Sequence, residues 1–336
     1  MGRHCDVGDC SLIFYGVLFQ MAVDNKEKLS IKRINMSSDR WKIRVQKMAY
    51  EIRRRVLAHT ISRNGGYLSQ ACSAAEIFAV LYGKVLRLAP LERAILPDKF
   101  TETPKSGVPA ITGADYNGAG RLDCDNFILS PAQYALVLYA TLIAAKRMDE
   151  KGMDQYDHDG SRVEMIGAEH SPGMELTTGS LGQGISQAAG IAWARKMIGE
   201  RGRVVMLMSD GECQSGEFWE AVQAASFHRL GNMLIYVDMN GYQCDGKMSS
   251  VMNIEPFHKR LKAFGARVYR VDGHDIEVLA KLGKKKLAQA PTFVLCDTDP
   301  CRGIDILKNR YPKFHYVRFN NQNEKAEYKK FYDEMK

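Results

Sequence analysis

Apolar and polar positions change period several times along the chain. Over "WKIRVQKMAYEIRRRVLAHTIS", Ile43, Met48, Ile52, Val56 and Leu57 return near one face of a helix. Asn64-Gly65-Gly66 breaks that pattern. It resumes in "SAAEIFAVLYGKVLRL", where Ser73 stands as an N-cap and Glu76 follows three residues on, the spacing of a capping box. The helical reading thus runs from Trp41 to Leu88. Residues 89–124, rich in proline and glycine, read as a long loop, which in a compact domain is functional, an interface or disordered. "NFILS" reads as a short strand entering the helix "AQYALVLYATLIAAKRMDE". The turn in "ELTTGSLGQG" feeds an alanine-rich helix. Then come the strand "RVVMLM", the helix "GEFWEAVQAASFHRL" and the strand "NMLIYVDM". "ARVYRVDG" and "PTFVLCDT" are two more strands, each preceded by helical sequence, and the last residues, 316–336, read as a surface helix. Strands alternating with helices predict an α/β fold, a mostly parallel sheet with helices on both faces in three αβα layers.

Composition changes little in this picture. The chain has 336 residues, 45% hydrophobic and 26% charged, enough for a sizeable core. Net charge is +8 and spread along the chain. Its densest patch, Lys284-Lys285-Lys286, reads as a solvated helix face, which excludes a nucleic-acid interface and leaves a mild bias toward anionic ligands. The eight cysteines form no Cys-x-x-Cys pair and no zinc spacing, which fits reduced thiols in a cytoplasm. The apolar run at 11–23 is too short to span a bilayer and lacks a basic leader, so no membrane role is expected. Residues 1–36 do not read like the rest and are expected to be an extension, with Met36 an alternative start.

Chemistry concentrates in "VVMLMSDGECQSGEFWEAVQAASFHRLGNMLIYVDMNGYQCDG". Two apolar runs each stop at an oxygen ligand, Asp210 and Asn240. A strand-helix-strand unit makes its strands parallel, so both residues fall at the same sheet edge, where open α/β sheets bind ligands. A carboxylate and an amide carbonyl are hard ligands, suited to Mg²⁺ or Ca²⁺ rather than zinc. With the Tyr242 carbonyl they would leave room for a diphosphate, which Gly211 and the following helix N-terminus would favour.

These residues resemble a known family. The Asp210-Gly211 opening and the Asn240-Gly241 close look like the thiamine-diphosphate fingerprint of transketolases. "ELTTGSLGQGISQAAG" is similar to the family's Thr-Thr-Gly-Pro-Leu-Gly-Gln-Gly turn, "VDGHD" to its Asp-Gly-His-Asp, and "SAAEIFAVLY" to its first core helix. The resemblance spans about residues 40 to 315, and the second and third pieces set it apart from 2-oxo-acid dehydrogenase E1 subunits. It implies a thiamine-diphosphate diphosphate-binding domain over 37–315. Asp210, Asn240 and the Tyr242 carbonyl would bind Mg²⁺ (or Ca²⁺ or Mn²⁺). Gly211 and Glu212 would lie at the diphosphate, joined by Asn240 and Gln133, and Gly179 and Leu181 at the aminopyrimidine. His315 would face diphosphate and substrate.

The departures from the family fall mostly at the substrate end. Tyr67 stands where a histidine is usual, Gln133 where a second one is, and the His-Pro-Glu segment is shortened around Glu169-His170, which leaves His170 as a candidate by position. Ser209 replaces a glycine, and Ser215 replaces a glutamate that relays protons between paired sites. Tyr67, Gln133, His170 and His315 are therefore the candidate catalytic set.

The family's pyrimidine-binding domain, which supplies the glutamate acting on the cofactor ring, has no counterpart in this sequence. The resemblance then implies one subunit of a split transketolase, completed by a partner carrying that domain in an α2β2 assembly. It would pass a two-carbon ketol unit from a ketose to an aldose, both small anionic sugars. The rebuilt substrate end points to an unusual donor, sulfonated, branched or otherwise modified, or else to lost activity. Within the long loop, Lys99, Lys105 and Arg121 are candidates to meet an anionic tail. Competing readings are an E1-type decarboxylase or synthase subunit, and a non-catalytic cofactor-binding assembly subunit.

Overall fold

A computed structural model describes residues 39–100, 111–118, 122–285 and 288–335. The N-terminal run at 11–23, Met36, Lys105, Arg121 and Lys286 lie outside them. The chain divides into Met1–Arg44, whose described residues 39–44 are helical, and Val45–Lys336, which holds everything below.

Parallel strands fed by crossover helices need hydrophobic residues on both faces, and these strands have them. β1 (Asn126–Leu129), β2 (Val204–Ser209), β3 (Met233–Met239), β6 (Arg267–Asp272) and β7 (Thr292–Asp297) form one sheet in the order β1-β2-β3-β7-β6. Every pairing in it is parallel. A small antiparallel hairpin, β4 (Tyr242–Gln243) with β5 (Gly246–Lys247), follows β3. One layer packs α4 (Gly184–Met197), α5 (Gly216–Phe227) and α7 (Phe257–Ala263) onto Met206, Met208, Ile235, Val237, Phe293 and Leu295. On the opposite face lie α2 (Leu68–Val80), α3 (Ala135–Ala144) and α8 (Ile276–Gly283). There Phe78 packs on Phe127, and the Tyr236 hydroxyl donates to the Leu279 carbonyl. The three αβα layers are thus as the alternation predicts. Further helices are α1 (45–63 in this part of the chain), the short α6 (Met248–Val251) and the largely exposed α9 (Gln322–Glu334).

Local expectations fared unevenly. Met48, Ile52, Val56 and Leu57 form the buried face of α1, but Ile43 is exposed. The break falls at Asn64, which has a positive φ of 56°. Ser73 caps nothing. α2 starts five residues earlier, at Leu68, because Tyr67 already turns the chain, and Ser73 lies inside the core with its hydroxyl turned to β3. α3 ends at Ala144 rather than running on to Glu150, and Lys146 takes a left-handed φ of 57°. The described parts of 89–124 are tied down. Ile95 bridges Met148, and Gly113 donates to the Glu169 carbonyl at 2.6 Å. β6 is an edge strand, so its residues are only partly covered. No helix among the described residues is long and apolar enough to cross a membrane.

Candidate functional site

The register of β2 and β3 sets Ser209 beside Asp238, so the next residues of both strands emerge together at the C-terminal edge. The two turns are bonded directly. Gly241 N–H donates to Asp210 Oδ2 at 2.8 Å, and Asp210 N–H donates to the Asp238 carbonyl at 3.2 Å. Gly241 has φ +75°, a left-handed turn that glycine adopts without strain and that brings its N–H to the carboxylate. Asn240 Oδ1 accepts the Tyr242 N–H at 2.9 Å. Asp210, Asn240 and Tyr242 are therefore gathered at one point, with Gly211 at the head of the turn leading to α5.

Asp210 is 1% exposed and its Oδ1 has no hydrogen-bond partner. Burial, then repulsion from Asp238, pushes the Asp210 carboxyl well above its ordinary pKa. Asp238 is also raised by burial, although Ser73, Thr298, Tyr134 and Asn240 bond to it. A buried carboxylate oxygen left unpaired is costly unless a cation meets it. Among the described residues no three His, Cys, Asp or Glu are grouped as a metal cage. A cation at Asp210 would need amide, backbone and ligand oxygens, which is how Mg²⁺ is commonly held beside a phosphate. The donor set fits such a group.

The glycine-rich turn is drawn to the same edge. Thr178 Oγ1 donates to the Leu129 carbonyl at the end of β1. Gly182, with φ +87°, sits so close to Ser215 that an added Cβ would lie 2.0 Å from its Oγ. Glu212 joins the pieces. Its carboxylate accepts the Ser130 hydroxyl at 2.5 Å, Ser209 N–H at 2.8 Å and Gly182 N–H at 3.4 Å. Burial raises it to about 7 against those bonds. With the side chain spent on three protein segments, a ligand would meet Glu212 only at its backbone. On this turn Gly179 is half-buried and Leu181 is 45% exposed. Ser215 caps α5, accepting Phe218 N–H.

A second wall comes from distant parts of the chain. Gly66 pairs with Val317, which sets the Tyr67 ring edge-on to His315 at 5.6 Å and to Tyr316 at 4.9 Å. Gln70 Nε2 donates to the His315 carbonyl at 3.1 Å. Burial lowers the His315 imidazole below its ordinary value, against the pull of Asp245 from the β4–β5 hairpin. Tyr67 is raised, first by burial. Gln133, in a single turn before α3, has a buried Oε1 without a partner. His170 goes elsewhere. It pairs with Glu164 at 3.0 Å and stands edge-on to Phe100, and among the described residues no bond or ring contact joins it to His315 or Asp210. Lys99 is described, but no contact ties it to this edge.

Two groups escape a reading of the sequence. Asp238 lies in β3 and looks like a strand residue among apolar neighbours. His274 stands out only as part of the VDGHD motif, yet its Nε2 accepts Asp299 N–H and its Nδ1 meets Glu76, each at 2.9 Å. Glu76 also holds Arg53, so this clasp ties α1 and α2 to the ends of β6 and β7. The signal available was a helical glutamate on a buried face.

Residues 114–307 match the family model "Transketolase, thiamine diphosphate binding domain". The chain belongs to the transketolase family. It is 35% identical to an uncharacterized transketolase family protein of Sinorhizobium fredii, over 83% of this chain and 92% of that one. One of the apulose-4-phosphate transketolase subunits, from Actinobacillus succinogenes, is 29% identical over 81% and 90% of the two chains. A 6-deoxy-6-sulfo-D-fructose transketolase subunit of a Clostridium species is 25% identical over 84% and 94%. Transketolase from Leishmania mexicana shares the fold, with a TM-score of 0.63 at 21% identity over 87% of this chain. This chain spans 45% of that solved chain, while it spans nearly the full length of the three relatives.

Proposed function

We propose that this chain is the diphosphate-binding subunit of a two-chain, thiamine-diphosphate-dependent transketolase, transferring a two-carbon ketol unit from an unusual ketose to an aldose. The observation that carries the reading is the unpartnered, buried Asp210 Oδ1 where the β2 and β3 turns meet. Asp210, Asn240 and the Tyr242 carbonyl would hold Mg²⁺, with the Gly211 and Glu212 backbone at the diphosphate. The turn at Gly179 and Leu181 would meet the aminopyrimidine. Thiamine diphosphate, when bound, supplies the electron sink for breaking a carbon–carbon bond. The chain's own part is to anchor and orient. His315, held below its ordinary pKa, is largely neutral near pH 7 and fit to accept a proton from a substrate hydroxyl. Tyr67 stands beside it, and Gln133 has a buried amide oxygen free to accept from a substrate hydroxyl. His170 has the weakest claim, being held at Glu164.

The substrate class is supported by the relatives, one named for a branched sugar phosphate and one for a sulfonated ketose. A partner is supported by their naming as subunits and by a bare apolar surface on α4 and α5. Trp193, Met197, Ile198 and Phe227 are all exposed there, beside a groove of about 360 Å³ lined by Ala189, Gly190 and Ala224. Such a partner would bring the pyrimidine-binding half, and we favour an α2β2 assembly in the cytoplasm. Six cysteines free of disulfides among the described residues suit that compartment.

The test is to assay the chain with its candidate partner, thiamine diphosphate and Mg²⁺ against branched, sulfonated and ordinary ketose phosphates. Turnover of a ketose only when both chains are present is the expected result. Pyruvate decarboxylation without sugar turnover would move the reading to the E1 class, and failure on every donor to a non-catalytic role.

A further inference from the structure

The Asn240 amide is held by a buried pair that nothing in the metal reading requires. Asp238, 0% exposed in β3, accepts on Oδ2 the Ser73 hydroxyl at 2.6 Å, the Tyr134 hydroxyl at 2.8 Å and Asn240 Nδ2 at 3.4 Å. Thr298 Oγ1 donates to the other oxygen, Oδ1. Asn240 Nδ2 donates also to the Tyr134 hydroxyl at 3.3 Å, so that hydroxyl receives from Asn240 while giving to Asp238. On its far side Asn240 Oδ1 accepts the Tyr242 N–H.

An amide turned over would fail on both sides at once. Its oxygen would face a carboxylate oxygen, and its NH₂ would face a backbone N–H. Asp238 Oδ2 already accepts two hydroxyls, and a backbone N–H only donates. The two neighbours therefore leave one orientation, with the nitrogen at Asp238 and Tyr134 and the carbonyl oxygen on the opposite side at the Tyr242 N–H. Three elements supply the constraint: Tyr134 just ahead of α3, Asp238 from β3, and Ser73 from α2, which fixes Asp238 in turn.

We propose that Asp238 and Tyr134 are positioning residues that lock the Asn240 amide with its carbonyl oxygen presented to a divalent cation. The inference rests on the reading of Asp210 and Asn240 as a cation-diphosphate site. It assigns to Asp238 and Tyr134 the outer-shell role that sets a ligand's orientation and strength. Loss of such partners typically lowers metal affinity about 10- to 100-fold.

The experiment titrates Mg²⁺ into the full chain with thiamine diphosphate present, by calorimetry, for four forms: unmodified, Tyr134→Phe, Asp238→Asn and Thr298→Val. Tyr134→Phe removes one oxygen and keeps the ring, so it tests the idea even if Asp238→Asn fails to fold. Mg²⁺ affinity is expected to fall about tenfold in Tyr134→Phe and up to about 100-fold in Asp238→Asn. Thr298→Val, which frees the carboxylate oxygen not bonded to Asn240, should lower it less than Tyr134→Phe does. The second readout needs no cation. With ¹⁵N-asparagine labelling of the cation-free chain, the Asn240 side-chain amide signals, identified by their loss in Asn240→Ala, should shift more in Tyr134→Phe than in Thr298→Val. Equal effects of Tyr134→Phe and Thr298→Val on both readouts, or none from Tyr134→Phe, would overturn the inference while leaving the site reading intact. No Mg²⁺-dependent cofactor binding by the unmodified chain would overturn the site reading, and this inference with it.

Discussion

The anchor at the ends of β2 and β3 and the wall around Tyr67 and His315 lie at one edge of the fold but are built by opposite means. The anchor comes from neighbouring strands. Parallel register delivers Asp210 and Asn240 side by side, and among the described residues of those two turns Asp210 Oδ1 is left without a partner. The wall joins residues 67 and 315 through one bridge, Gly66 to Val317, and edge-on aromatic contacts. A hydrogen-bonded network of buried charges tolerates little change, because each lost partner strands a charge. Aromatic packing is more forgiving of side-chain change. This difference fits the proposed division, in which Asp210 and Asn240 keep the pattern of the resemblance while Tyr67 and Gln133 depart from it.

The strongest blow to the comparison is Asp210→Ala. It should lower affinity for thiamine diphosphate with Mg²⁺ by about 10³-fold, the scale of breaking a buried charge pair. Melting of the chain without cofactor should hold or rise, since an unpaired buried carboxyl is gone. Unchanged cofactor affinity in calorimetry would remove the anchor from the account.

Next is the clasp at the base of the wall. Burial pushes the Glu76 carboxyl up, but bonds to His274 and Arg53 prevail and hold it at about 2. A depressed carboxyl gives stability that is complete above its ordinary pKa of 4.5 and lost as pH falls through about 2. That contribution is on the order of 3 kcal/mol. Urea midpoints from pH 6 down to pH 2 should decline in the natural chain. In Glu76→Gln the decline should be shallower, from a lower start because Arg53 is left unpaired. Parallel declines would assign the acid sensitivity elsewhere.

His315→Ala separates the two regions. With the partner present, kcat/KM should drop about 100-fold, the scale of a lost acid–base group. Affinity for thiamine diphosphate should fall far less. A matching loss of cofactor affinity would mean that wall and anchor are one structure.

The same contrast decides what the sequence made legible. Alternating apolar runs and strand-helix spacing are local, so the parallel sheet and the edge carrying Asp210 and Asn240 could be read directly. Tyr67 and His315 could be put together only through a family resemblance, since nothing in spacing says that residues 248 positions apart will touch. Ser73 shows the limit of local pattern. Its capping-box spacing to Glu76 is real, but the helix begins earlier; Ser73 turns into the core to Asp238, and the half-buried Glu76 turns to Arg53 and His274. Asp238 was invisible because its donors come from three other elements. His170 was a candidate by position alone, and the contacts of its ring are to Glu164 and Phe100.

The smallest effect sharpens the anchor itself. Ser215 stands where the resemblance expects a proton-relaying glutamate, and here it does something simpler. Its hydroxyl donates to the Glu212 carbonyl at 3.0 Å and accepts Phe218 N–H at 3.4 Å, capping α5 directly behind Asp210. The same oxygen is the atom against which Gly182 packs. Ser215→Ala should therefore cost about 1 kcal/mol of stability, the usual value of an N-cap, read as a lower urea midpoint. A hydroxyl occupied as a cap relays no proton, so the pH profile of turnover should keep its shape. A displaced pH optimum with unchanged stability would reverse the assignment and make Ser215 part of the proton path.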